Sequence, residues 1–455
     1  MEYTGATEKL VTDRTESIVM AQNPKKNHPG LAARSAASEI IWRVLYDGSY
    51  VDDAFIYVVG VYKLDHRDRG LVRAITATTL RRLGQIRAVL DVHLKKPLAP
   101  KFSHASCILY TASAQILFME VPDHSAIDLA VAQLRVQRKL HHLSGMANAV
   151  LRKVVDSKEL VSESKDAGRV NTPKWLWQLW AKDYGKDIAA KIAEAHLKEA
   201  ALDVSLKSDD CQLEGMKLPT GSLRLDAGYG RIEELAGYEQ GEWWVQDVAA
   251  TLPVKLLGDV AGKKVADICA APGGKTLQLA AGKADVTAVD VSERRLLRVS
   301  ENLQRVGLEA EIVCADALSW EPEESFDALL LDAPCSATGT IRRHPDALYL
   351  KKSSDIDKLC KLQKQLLEKA AKLIKPDGIL VYCTCSLQKR EGEHQIEAFL
   401  AENVGFERVP VTPEDVGDMG HLINENGDLR TLPFHLVGES AGMDGFFVSR
   451  LKRKT

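Results

Sequence analysis

Apolar residues follow two different periods along this chain, and the change of period divides it. From Leu31 to about Val155 they recur at helical spacing, as in Ala37, Ile40, Ile41, Val44 and Leu45, and no strand pattern is evident. This stretch predicts an all-helical bundle. One of its helices, over Leu71 to Leu94, carries Arg73, Arg81, Arg82 and Arg87. A turn signal at Val121-Pro122-Asp123-His124 precedes another helical run through Leu151. From Lys263 short apolar runs end in polar punctuation: KKVADIC, DVTAVDV, AEIVCAD, FDALLLDAP and GILVYCTC. Helical stretches at 276–283, 292–306, 355–374 and 389–402 lie between them. Such alternation predicts a parallel sheet covered on both faces, with FERVPV and GFFVSRL adding edge strands.

The segment between these textures, 171–245, is mixed. TPKWLWQLW puts three tryptophans in six residues, predicting one helix that packs an interdomain seam. SLKSDD, DAGYGR and GEWWVQD then predict short strands and turns. The expected organisation is a flexible tail over 1–30, a helical domain over 31–165, a small α+β RNA-binding subdomain or linker over 166–245, and an α/β domain over 246–455.

Charge sharpens this division. Residues 1–170 hold 24 Lys+Arg against 18 Asp+Glu, net +6, and the remainder holds 36 against 45, net -9, which together give the chain's -3. A basic front half suits a polyanion such as nucleic acid, leaving the acidic back half for other work. No apolar run reaches the roughly 18 residues of a membrane span. The opening MEYTGATEKL carries Glu2 and Glu8 and no apolar stretch, which argues against a secretory signal and for a cytoplasmic protein. Eight cysteines in 455 residues are then reduced thiols and not a disulfide scaffold.

In an open parallel sheet, ligands bind beyond the carboxyl ends of the strands. Five predicted strands end in pointed chemistry. The first leads into Asp267-Ile-Cys269-Ala270-Ala271-Pro272-Gly273-Gly274-Lys275-Thr276, where the glycines allow close backbone approach and a helix N-terminus follows. The others end in Asp290, in Asp316, in Asp332-Ala-Pro-Cys335 and in Cys383-Thr-Cys385-Ser386. Gly274-Lys275-Thr276 matches the end of a phosphate loop, but that motif needs glycine at position 269, which is Cys. A nucleoside cofactor without a polyphosphate fits better, with Asp290 at the ribose and Asp316 near the base. S-adenosylmethionine answers that description. Cys269, Cys335, Cys383 and Cys385 also allow a four-thiolate metal site, although Cys-x-Cys is poor spacing for tetrahedral zinc. The site is therefore expected to hold no metal.

A thiolate beside a methyl donor suits methylation of a pyrimidine at carbon 5. That carbon is too weak a nucleophile until a thiolate adds at carbon 6, an acid steadies ring nitrogen 3, and a base later removes the carbon 5 proton. Cys385, Asp332 and Cys335 can supply these parts, and Lys275 is placed to hold Asp332 or the substrate.

DICAAPGGKT, Asp290, CADAL around Asp316, LLLDAPCSATGTIRRHPD and TCS at 384–386 resemble the RNA 5-methylcytosine methyltransferase family, the RsmB/NOP group. HASCILYTASAQILFMEVPDHSAIDLAVAQL and MANAVLRKVV resemble the NusB-like domain that some members carry, so the likeness spans roughly 31–452. The resemblance implies an all-α NusB-like domain followed by a Rossmann-like class I methyltransferase domain, with small-subunit ribosomal RNA as substrate. It implies Cys385 as nucleophile and Cys335 as the releasing residue. It also implies cofactor contacts from Cys269 through Lys275 and from Asp290, Asp316 and Asp332. Three positions depart from the family pattern: Ala337 where glycine is usual, no Asn between the acids of LQKREGE, and the additional Cys383.

A target base approached from its face must be flipped out, and Arg342, Arg343 and His344 beside the active loop are expected RNA contacts, together with the basic front helices. A monomer is expected to suffice. Two other readings compete. A DNA cytosine methyltransferase would use Cys335 as nucleophile, and a non-catalytic RNA-binding factor would not bind S-adenosylmethionine.

Overall fold

The computed structural model describes residues 29–208, 210–226, 230–438 and 440–455. The expected tail therefore lies outside the described residues except at its last two positions. The chain forms two compact units. One runs to Lys174 and takes in His344–Leu350, and the other comprises Trp175–Arg343 and Lys351–Thr455.

The first unit is helical: α1 (Leu31–Trp42), α2 (Val51–Tyr62), α3 (His66–Arg81), α4 (Leu83–His93), α5 (Ser103–Phe118), α6 (Asp123–Val136), α7 (Ser144–Val155), and the short α8 (Lys158–Ser162) and α9 (Ala167–Asn171). Asp65 caps α3 by accepting the Asp68 N–H at 2.8 Å. Two apolar clusters fill the unit, one around Ile40, Ile41, Ile75 and Leu80, the other around Ile86, Ile108, Ala130 and Leu151. Between α1, α5 and α6 lies a buried polar cluster. Ser38 donates to Gln133 Oε1 and shares a hydrogen bond with Thr111, both at 2.9 Å, and Arg34 Nε donates to Gln115 at 3.1 Å. A misplaced helix would strand these groups without partners, so the cluster fixes the helix register.

In the second unit, α10 (Lys174–Tyr184) and α11 (Lys186–Ala195) precede an antiparallel sheet of β1 (Leu202–Leu206), β2 (Met216–Lys217), β3 (Leu223–Leu225) and β4 (Trp243–Val245), in the order β2-β3-β1-β4. Helix α12 (Val248–Lys255) leads into the main sheet. This contains β5 (Lys264–Ile268), β6 (Asp285–Asp290), β7 (Glu311–Cys314), β8 (Phe326–Asp332), β9 (Ile374–Thr384), β10 (Phe406–Arg408) and β14 (Phe447–Arg453), ordered β10-β14-β9-β8-β5-β6-β7, with β11 (Leu429–Arg430) on β14. Strands β12 (Leu436–Val437) and β13 (Ser440–Ala441) form a separate hairpin. Neighbours from β7 to β9 pair in parallel, and β14 runs antiparallel to β9. The connecting helices are α13 (Gly274–Ala281), α14 (Glu293–Val306), α16 (Ser353–Leu373) and α17 (Glu393–Glu402), while the short α15 (Ala347–Leu350) belongs to the first unit. In α14, Leu296, Val299, Leu303 and Val306 bury one face, Ser292 caps the start and left-handed Gly307 ends the helix.

The five expected parallel strands are present. Strand β9 starts four residues earlier than its apolar run, and FERVPV pairs only over Phe406–Arg408, before Pro410 ends it. The helix expected from 389 is broken. A single turn at Lys389–Glu391 stops at Gly392, and α17 starts only after it. Among the described residues no helix is long and apolar enough to cross a membrane. Chain order reverses around β5, whose neighbours are β6 on one side and β8 on the other, so the crevice lies at the carboxyl ends of β5, β6, β8 and β9.

Candidate active site

Strands β8 and β9 pair in register up to Asp332 opposite Cys383, and the loops beyond them stay zipped together. The Ala333 N–H donates to the Cys383 carbonyl at 2.9 Å and the Gly339 N–H to the Cys385 carbonyl at 3.0 Å. The Leu387 N–H donates to Thr338 Oγ1, also at 3.0 Å. This zipper brings the Sγ atoms of Cys335 and Cys385, both half-buried, to 3.4 Å. The Cys385 hydrogen bond, reinforced by burial, pushes the Cys335 thiol well above its ordinary range. Cys335 is therefore a thiol that holds its proton, and the two sulfurs share a hydrogen bond.

Beside the thiols, Lys275 Nζ donates to Asp332 Oδ2 at 2.7 Å. Burial, the largest single influence, would lower the lysine, but the charge and hydrogen bond of Asp332 together with Cys383 and Asp267 outweigh it and the net shift is upward. The ammonium also lies 5.2 Å from the Phe446 ring centre. The fully buried Cys383 thiol lies 3.5 Å from Asp332 Oδ1, and burial raises it well above the usual thiol range, so it remains a donor. Cys383 is thus a buried strand residue, as its place on β9 predicts, and it also orients Asp332.

The β5–α13 loop is built differently. Cys269 adopts a positive φ of 64°, and burial pushes its thiol up to about 12. Gly273 caps α13 at φ 102°, where an added Cβ would stand 3.1 Å from Val299 Cγ1, so only glycine lets the loop lie against α14. Asp267 is buried beneath the loop, with one carboxylate oxygen bound by the Thr276 hydroxyl at 2.6 Å and the other without a partner. Burial raises it to about 7. Asp290 is buried at the end of β6 and accepts the Ser292 N–H at 2.9 Å and the Ala271 N–H at 3.2 Å. Asp316 is exposed beyond β7 and accepts the Leu318 N–H at 3.0 Å.

The structure corrects one expectation. Arg342 and Arg343 are not free to meet RNA. The Arg343 guanidinium reaches Asp247 at 2.5 Å and Asp444 at 3.2 Å, and Arg342 is 3% exposed within 3.8 Å of Asp444. Two adjacent arginines look like a surface patch, but acids about a hundred positions away draw them inward. Burial, with the charge of Asp247, raises Asp444 to about 7, whereas the two arginines hold Asp247 low against its own burial. His344 is half-exposed and lies 3.8 Å from Asp52.

Glu391 is the functional candidate that the sequence pattern did not single out. It is fully buried, and its carboxylate binds the residues that follow both cysteines, Ser336 and Ser386. The second of the two acids in LQKREGE, Glu393, accepts two hydrogen bonds from Arg430 in a buried ion pair, and the same guanidinium also donates to the Ser386 carbonyl at 2.6 Å.

A family model described as 16S rRNA methyltransferase RsmB/F matches residues 254–452, and one described as NusB family matches 31–156. The Ribosomal RNA small subunit methyltransferase B of Vibrio cholerae is 32% identical over 92% of this chain and 97% of its own length. Its namesake from Xylella fastidiosa is 37% identical over 85% of this chain and 92% of that one. The chain belongs to the 16S rRNA methyltransferase RsmB/F family. Its fold is shared by the solved structure of PH0851, with a TM-score of 0.73 at 22% identity over 94% of this chain and all of that one. It is also shared, over 62% of this chain and 98% of that one, by NSun6 from Pyrococcus horikoshii, with a TM-score of 0.50 at 20% identity.

The crevice of this RsmB/F chain fits S-adenosylmethionine, the cofactor of the family. Asp316 and Asp332 bring carboxylates to its rim, Asp290 stands buried at the end of β6, and Lys275 is already bound to Asp332. Such a set suits a cationic sulfonium and ribose hydroxyls, and it repels a polyphosphate. Among the described residues no three His, Cys, Asp or Glu gather as a metal site.

Two of the departures from the family pattern acquire structural meaning. Ala337 carries φ 55° in the turn between Cys335 and Thr338, a conformation that glycine adopts without strain. At Gly392, where the family pattern has Asn, a Cβ would stand 2.6 Å from the Phe447 ring and 2.7 Å from Arg430, so this chain leaves no room there for a side chain.

Proposed function

We propose that this protein methylates carbon 5 of a cytidine in small-subunit ribosomal RNA through a transient bond between Cys385 and the base. The observation that carries this reading is the pair of thiols 3.4 Å apart at the ends of adjacent strands, beside the Lys275–Asp332 pair.

In this reading Cys385 bonds to carbon 6 as a thiolate, while Cys335 keeps the proton that the two sulfurs share. The carbon 5–carbon 6 double-bond pair shifts toward carbon 4, and charge gathers at ring nitrogen 3. There it meets the proton held between Lys275 and Asp332. S-adenosylmethionine, when bound, supplies the methyl group that carbon 5 accepts. Cys269 through Lys275, with Asp290 at the ribose, Asp316 near the base and Asp332, are the residues that would hold it. As the methyl joins carbon 5, charge leaves nitrogen 3 and the proton returns to the Lys275–Asp332 pair.

Release is the task of Cys335. Once Cys385 is bonded to carbon, the hydrogen bond that chiefly raised Cys335 is gone. Cys335 then loses its proton to water, takes the carbon 5 proton, and the electron pair expels the Cys385 thiolate. The cycle closes with one proton released, as substitution of a ring hydrogen requires.

The basic helical unit would hold the RNA backbone. Its arginines are steadied by rings, with Arg73 lying 4.4 Å from the Phe55 ring centre and Arg87 5.4 Å from that of Tyr110. Because one chain supplies every proposed catalytic group, we infer a monomer working in the cytoplasm, where bacterial ribosomal RNA is made.

The test is the Cys335→Ala protein incubated with RNA and S-adenosylmethionine. A protein–RNA adduct stable on a denaturing gel is expected. Trapping by Cys385→Ala instead would make Cys335 the nucleophile, as in DNA cytosine methyltransferases. Failure to bind S-adenosylhomocysteine in calorimetry would favour the non-catalytic reading.

A further inference from the structure

We propose that Glu391 is the positioning residue that sets the distance between the two thiols. The proposal rests on the reading of Cys385 and Cys335 given above and extends it to a residue that touches neither sulfur nor substrate.

Three of the four hydrogen bonds at the Glu391 carboxylate come from the two cysteine loops, and the fourth comes from Gln363 on α16. Oε1 accepts the Ser336 N–H at 2.9 Å and the Gln363 side-chain N–H at 3.0 Å. Oε2 accepts the hydroxyls of Ser336 and Ser386, each at 2.5 Å. These serines directly follow Cys335 and Cys385, and their own oxygens lie 3.0 Å apart. Gln363 extends the grip by donating to the Pro334 carbonyl at 2.9 Å. The Glu391 backbone is held in turn, its carbonyl accepting the Tyr382 hydroxyl at 2.8 Å.

All four groups bound to the carboxylate are neutral donors, and the side chain has no solvent exposure. A fully buried carboxylate serving only neutral donors is an expensive way to fill a core, since a charge out of water needs every lone pair satisfied. What it provides is four-way acceptance, which no other side chain of that length supplies. Serine hydroxyls brought together without it would have to donate to each other. Glutamine in its place would have to turn its amide N–H₂ toward two donors, whichever way it flipped. The expected result is a separation of the two loops and of the sulfurs they carry. A misplacement on the order of 1 Å at a reacting pair lowers turnover by about a hundredfold.

The experiment compares the wild-type chain with Glu391→Gln by two independent readouts. The first is titration with phenylarsine oxide, a trivalent arsenical that closes only on two neighbouring thiols, with Cys385→Ala marking the signal of this pair. The second is steady-state and gel-shift kinetics on small-subunit RNA. The proposal predicts that Glu391→Gln loses the arsenical affinity of the pair at least about tenfold. It also predicts that kcat falls about a hundredfold while KM for RNA and affinity for S-adenosylhomocysteine are retained, and that RNA adduct accumulates because Cys335 no longer faces the bonded sulfur. Wild-type arsenical affinity in Glu391→Gln would overturn it, as would a lowered melting temperature with kcat unchanged for the folded protein. If Glu391→Gln does not fold, Ser386→Ala removes one of the four bonds and is read by the same titration, where unchanged affinity overturns the proposal. Failure of Cys335→Ala to trap RNA would reject the roles given to the cysteines, while the arsenical titration would still decide the role of Glu391.

Discussion

The glycine loop after β5 and the two cysteine loops after β8 and β9 share one crevice and are held by different means. The glycine loop takes its shape from its own residues. Cys269 and Gly273 adopt positive φ, and the loop lies on α14 because position 273 has no side chain. The cysteine loops take theirs from outside. Glu391 grips them at Ser336, 55 positions away, and at Ser386, 5 away, Gln363 reaches Pro334 from 29 positions away, and the paired arginines beyond Cys335 are anchored on Asp247 and Asp444. Local shape suffices where backbone meets a cofactor. Two sulfurs proposed to act on one ring need a distance, and on this proposal the distance between their loops is set by a third segment.

The sharpest contrast comes from the charged groups on the cysteine side. Asp332→Asn keeps the shape but, in the proposed mechanism, cannot exchange the proton at ring nitrogen 3, so methyl transfer at saturating S-adenosylmethionine should fall about 10²- to 10⁴-fold. Arg343→Ala should act on stability, since it leaves Asp247 and Asp444 buried beside a single arginine. Breaking such a pair costs about 3–5 kcal/mol, which chemical denaturation would register.

A pH series separates the two sulfurs. The Cys385 hydrogen bond raises Cys335, and burial raises it with or without that bond, so in the proposed mechanism release is the step that waits for its ionisation. Turnover should therefore rise with pH from 7 toward 9, and the gel-stable adduct should be more abundant at the lower pH. A flat profile with constant adduct would remove Cys335 from the release step. Ala337→Gly should have the smallest effect. It relieves the left-handed strain but adds chain entropy to the unfolded state, so the two terms nearly cancel and stability should move by less than about 1 kcal/mol.

Much of this was legible in the sequence, and the limit has a physical form. The apolar runs ending in Asp267, Asp290, Asp332 and Cys385 are strands because buried parallel strands are apolar throughout, so their ends can be read from where polarity returns. The fate of Arg342 and Arg343 could not be read that way, because exposure depends on acids 96 and 101 positions away. Glu391 left a trace, as one of two acids closely following Cys385. Nothing local told that it turns inward to Ser336 while Glu393 pairs with Arg430. Gly392 leaves helical geometry at φ -126°, ψ -98°, and Phe447, on the last strand of the sheet, occupies the space a side chain there would need.

The central claim is that the sulfur of Cys385 bonds to the base before any methyl moves. It is tested most directly by incubating Cys385→Ala with small-subunit RNA and tritiated methyl donor, after confirming that the variant still binds S-adenosylhomocysteine. The expected result is no incorporation above background. Labelling of cytidine at the wild-type rate would contradict the account.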